Sequence, residues 1–161
     1  MKTEQASGLA IGIGVVAGLR PMMALAAMAW AIKKGRIRTG PSPFVWVLSA
    51  STSKRIAQLA ISELIIDKLP FTPSRLTPKP LALRITTGTI CGAAVYGRGT
   101  KRSLTDGAVL GGLGALAGAL MGYQVRKRLR RDMPDLAFAL LEDAVAIGGS
   151  ALVVTLAGPA A

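Results

Sequence analysis

The chain of 161 residues contains no histidine and a single cysteine, Cys91, and these two shortages close most routes to chemistry. Without an imidazole there is no Ser-His or Cys-His nucleophile pair, and without a second thiol there is no disulfide and no thiolate pair for zinc. Cys91 reads as a small packing residue. Aromatic side chains make up 4% of the chain, too few for platforms on which bases stack. Acids are scarce as well: 8 Asp and Glu stand against 20 Lys and Arg, a formal net charge of +12. The basic residues fall between apolar runs and do not form one basic domain, which suits membrane flanks better than a nucleic-acid surface. The expectation is therefore no enzyme, no metal or other cofactor, and no nucleic-acid partner.

What is abundant is apolar. Hydrophobic residues make up 51% of the chain, and its 19 glycines suit helices that approach closely in lipid. One domain is expected at this length, residues 1–161 as a single transmembrane unit. Five apolar runs predict an all-α integral membrane bundle of about five spans. The first, residues 7–32, exceeds the ~20 residues needed to cross a bilayer. It is interrupted by Arg20-Pro21. Proline removes a backbone donor and clashes with the preceding turn, and Gly8, Gly12, Gly14 and Gly18 loosen the first half, so a kink or a discontinuity is expected there. A second half starting afresh at Pro21 would offer free N–H groups beside Arg20. The alternative is a bent helix whose Arg20 snorkels or pairs with a carboxylate. Ala24-Leu25-Ala26 resembles a signal-peptide cleavage site, but Arg20, Pro21 and Glu4 do not fit such a leader.

The second span is expected over residues 51–69, with Lys54 and Arg55 snorkelling near one end and Trp46 at an interface before it. Glu63 and Asp67 lie four apart on one face, where they either cap a helix end or share a proton or cation. Pro70, Pro73, Pro78 and Pro80 predict a stiff connector before a third span at residues 81–96, which carries Arg84 and the pair Gly88, Gly92. A fourth span, residues 106–125, shows two glycine ridges: Gly107 with Gly111, and Gly114 with Gly118 and Gly122. It ends in the basic run 126–131, an anchor or a seat for anionic headgroups. The fifth span, capped by Asp135 and ending near residue 156, contains Glu142 and Asp143. Charge at hydrocarbon depth is costly, so Arg20, Glu63, Asp67, Glu142 and Asp143 form the candidate polar intramembrane site. Adjacent helical residues point about 100° apart, so Glu142 and Asp143 cannot face one narrow site equally. Glu142 is favoured because it aligns with Asp135 and Gly149.

Two halves resemble each other in composition. A Gly-rich helix ending near basic residues and followed by an acid-bearing helix occurs in residues 8–69 and again in 107–156. One span between them would set the halves in opposite orientations, an inverted repeat. The stretches Gly18-Leu19-Arg20-Pro21, Glu63-Leu64-Ile65-Ile66-Asp67-Lys68-Leu69-Pro70 and Pro134-Asp135-Leu136-Ala137-Phe138-Ala139-Leu140-Leu141-Glu142-Asp143-Ala144, with Arg84 and Gly122-Tyr123, resemble the DUF4126 family of small multi-pass membrane proteins. That resemblance implies a membrane location and no established activity. Basic residues divide almost evenly between the two sides of a five-span chain, which gives no orientation and leaves an antiparallel homo-oligomer as one outcome. The expected function is a transporter or channel for a small solute or ion, with Arg20 orienting carboxylates or attracting an anion. The alternative is a structural or accessory membrane subunit. The expected location is a bacterial inner (cell) membrane, with lipids as the surrounding partner.

Overall fold

The computed structural model describes residues 3–37, 48, 50–66, 78–96, 101–129 and 134–157, and these contain six α-helices and no strand. They are α1 Thr3–Leu19, α2 Pro21–Lys33, α3 Ala50–Ile66, α4 Pro78–Tyr96, α5 Lys101–Leu129 and α6 Asp135–Leu156. The fold of the described residues is all-helical. Trp46, Asp67 and Pro73 lie outside the described residues.

Proline sets the break between α1 and α2. The residue before a proline is pushed out of the helical region, and Arg20 sits at φ −138°, ψ 91°. Pro21 then occupies the first position of α2, where its missing N–H costs nothing. The interruption is one residue wide. Arg20 N–H still donates to the Val16 carbonyl at 2.7 Å, and the Arg20 carbonyl already accepts from Ala24 N–H at 3.2 Å. At the other end of α2, Gly35 adopts φ +68°, a left-handed stop that lets the Arg36 N–H reach the Ala31 carbonyl at 2.9 Å.

Three expected boundaries shift. Pro78 and Pro80, expected in a connector, form the first turn of α4, because a helix tolerates proline before its own hydrogen bonds begin. Helix α5 runs through Arg126, Lys127 and Arg128, cations that suit its negative C-terminal end. Asp135, expected as the cap of α6, is its first helical residue, and Pro134 holds the cap position with no side-chain bond.

Glycine brings three of the helices together. A Cβ at Gly107 would stand 2.6 Å from the Gly92 carbonyl oxygen of α4, and one at Gly114 would stand 2.5 Å from the Ile11 carbonyl oxygen of α1. The two ridges of α5 therefore face different sides, Gly107 and Gly111 meeting α4 while Gly114 and Gly118 meet α1, with the Gly111 backbone also against Gly14 of α1. Helix α6 lies on α1 and α2, and α3 lies on α2.

The contacts also fix direction. Ile11 meets Gly114 and Val15 meets Gly118, so α1 and α5 run parallel. Helix α4 is antiparallel to α1, since Ser7 pairs with Tyr96 at 2.7 Å and Arg84 reaches Gly18. Helix α6 is antiparallel to α1 too: Gln5 donates to the Leu156 carbonyl at 3.2 Å, and Val16 touches Gly149. This differs from the sequence expectation. Five alternating spans would make α1 and α4 parallel, and an inverted repeat would oppose α1 and α5. The compositional likeness of the halves carries no direction, and packing decides it.

Small residues fill the interior, among them Ala10, Ala17, Ala24, Ala29, Ala115 and Ala146, while large apolar side chains such as Leu113, Leu140, Val145 and Leu152 point outward. Among the described residues, two helices are long and apolar enough to cross a membrane, Leu104–Leu129 and Leu136–Leu156. Residues Glu4–Leu19 and Pro21–Lys33 are apolar but shorter.

Candidate functional site

Breaking a helix in the interior exposes two sets of backbone groups: the last carbonyls of α1 and the first N–H groups of α2. Side chains from other helices meet both. From α4, Arg84 Nη1 donates to the Gly18 carbonyl and to the Leu19 carbonyl, the latter at 3.0 Å. From α3, Glu63 Oε2 accepts the Met22 N–H at 3.0 Å. The signs are complementary, a cation on the negative end of α1 and an anion on the positive start of α2.

Arg20 itself lies between these two caps and is 1% exposed. Its Nη2 stands 2.5 Å from Asp143 Oδ1 on α6. Removing an arginine from water costs several kcal/mol and is offset only by a close partner of opposite charge, which Asp143 supplies. Helices α3, α4 and α6 thus each send one charged side chain to the five residues Gly18 through Met22.

Of the residues expected in the polar site, Arg20, Glu63 and Asp143 are gathered at the break. Glu142 is buried on α6 beside Asp143. Asp67 lies outside the described residues. Spacing favours Glu142 as the acid of the site, and its neighbour Asp143 forms an ion pair with Arg20. Glu142 does share a stripe with Gly149, which rests on Val16 of α1.

Sequence reasoning missed two residues. Arg84 is placed by the sequence in the third span with no role, and the structure buries it as the cap of α1. The available signal was that it is the one charge within residues 81–96. Ser150, seven residues beyond Asp143 on the same face of α6, is buried, and its Oγ has no hydrogen-bond partner among the described residues. Cys91 is fully buried among core residues of α4 and packs there as a small side chain.

Such a molecule is a helical bundle with a charged centre built on a break in one of its inner helices. The chain belongs to the DUF4126 family, a domain of unknown function whose family model matches residues 8–159. Arg20, Glu63, Arg84 and Asp143 all fall within that match. No curated protein and no solved structure matches the chain.

Proposed function

We propose that this chain is a multi-pass membrane protein whose charged centre carries or conducts a small solute or ion. The observation that carries the proposal is the break at Arg20. Discontinuous helices whose ends are met by charge at depth are the construction by which transporters hold solutes. The outward-facing large apolar side chains and two membrane-length helices support the location. A bacterial inner membrane is the matching compartment, since outer membranes hold barrels and this chain is helical. The proposal includes no enzymatic step. In it, Asp143 and Glu142 are the groups that release or exchange a cation or proton, while Arg20 holds Asp143 in place.

The test is flux in proteoliposomes, with protons, Na+, K+ and Cl− as probes. Movement of one of these ions above empty liposomes is expected, and Glu142→Gln should abolish it while the melting profile in detergent is retained; Asp143→Asn should abolish it too, but with a lowered melting temperature, because it strands the buried Arg20. No flux of any of the four counts against transport. A second reading, a structural or accessory subunit, is favoured by one observation: the charges at the break meet complementary groups within the chain. In that case the same substitutions lower stability and nothing else.

A further inference from the structure

We infer that α1 and α2 form a re-entrant hairpin and not one kinked span, so that the charged site stands at the hairpin's tip and is reached from the face that bears Arg126, Lys127 and Arg128. The alternation of helices and the sidedness in this inference rest on the membrane reading above; the burial argument does not.

Direction is the first argument. Helix α1 runs antiparallel to α4. If α1 and α2 formed one span and α3 returned, α4 would run with α1. A reversal at Arg20 restores strict alternation through all six helices, with α1, α3 and α5 one way and α2, α4 and α6 the other.

Burial is the second argument. Helix α4 begins only six residues before Arg84, and α6 only eight before Asp143. Beyond the level of the break they therefore extend about 9 Å and 12 Å. Ala31 lies eleven residues past Arg20, or about 16 Å along α2, and is 0% exposed. Pointed away from α1, α2 would overshoot the described ends of α4 and α6, two of the four helices it packs on, and leave only α3 beside Ala31.

The opposite halves of those helices also show where α2 sits. On α4, which also packs on α1 and α5, Thr87 and Ala94 are buried off the Gly88 and Gly92 stripe that meets α5, whereas Leu83 above the break is 47% exposed. On α6, Val154 is buried although α1 is met by Gly149 and Val153. On α1, Ala6, Ala10, Ile13 and Ala17 form a separate buried stripe that leads to Arg20. Helix α2 packs on α1, α4 and α6 alike, and folding it back along α1 covers all three surfaces.

The tip is then off-centre. Asp143 stands about 12 Å along α6 from its start and about 20 Å from its end at Leu156, so the shorter approach is from the side where α5 ends and α6 begins. That side carries the exposed Lys127 and Arg128.

Two measurements test this in the full chain with Cys91→Ala. Spin labels at Gln5→Cys and Lys34→Cys, both exposed positions, should lie within about 25 Å if α2 returns along α1, against about 44 Å for 29 residues of continuous helix. A distance near the longer value overturns the hairpin. In sealed vesicles, a membrane-impermeant maleimide should reach Gln5→Cys and Lys34→Cys from one face and Lys127→Cys from the other. Labelling of Lys34→Cys together with Lys127→Cys alone also overturns it. If all three label from a single face while the short distance stands, the membrane reading fails and the hairpin survives. Met22→Cys, beside the tip, should react with a small methanethiosulfonate from the Lys127 face; reaction from the Gln5 face, or from neither, overturns the one-sided access.

Discussion

Arg20 cannot be where it is without a partner of opposite charge. A lone arginine at mid-depth costs roughly 2.5 to 3.5 kcal/mol on insertion scales, and the 2.5 Å contact with Asp143 answers that cost. Breaking a buried pair from one side strands the other charge. Arg20→Ala should therefore destabilise the protein in detergent by about 3 to 5 kcal/mol, read from thermal or denaturant unfolding. Adding Asp143→Asn should recover part of that loss, because the stranded carboxylate is gone. Strictly additive damage would mean that the two residues do not act as a pair. Much of this site was legible in the sequence, because a charge inside an apolar run marks itself. Which acid meets Arg20 was not, since the choice depends on where α1 stops. Arg84 was legible only as a charge near a helix start, because its role depends on carbonyls that α1 has lost to the proline in the next element.

Among the helices, glycine decides separation. At Gly111 an added Cβ would overlap the Gly88 carbonyl oxygen and stand 2.9 Å from the Gly92 Cα, contacts with backbone that cannot swing aside. Gly111→Ala should force α4 and α5 apart and lower stability by about 1 to 3 kcal/mol, the range of overpacked cores. Gly148 on α6 provides the internal control, for a Cβ there meets nothing within 4 Å. Gly148→Ala should raise stability by roughly 0.5 to 1 kcal/mol through the lower flexibility of the unfolded chain. Equal melting shifts for the two variants would contradict the close crossing of α4 and α5. The ridges themselves could be read from spacing, since residues four apart share a face. Spacing is silent on which helix each ridge meets and on the direction of that helix. The five-span alternation and the inverted repeat find no support in the helix directions for that reason, while the break at Pro21 could be seen in advance because its cause is local.

For the whole molecule, the distribution of side-chain size separates a bilayer from water. Alanines line much of the interior beside Ile13, Met28 and Leu48, many large apolar side chains face outward, and Val145, near the middle of α6, is 52% exposed. On the surface of a water-soluble bundle, a charge at such a position changes stability by less than about 0.5 kcal/mol. Facing lipid at the centre of a span, an aspartate costs about 2.5 to 3.5 kcal/mol, and its short side chain cannot reach the headgroups. Val145→Asp should therefore sharply lower the amount of protein that remains in the membrane pellet after carbonate extraction, and should lower the melting temperature of what remains. The control is Lys54→Asp, at an exposed position on the polar start of α3, which should leave both measures near the parent. A Val145→Asp protein retained in the pellet and melting with the parent would place the outer face of α6 in water, and the transport reading would go with it.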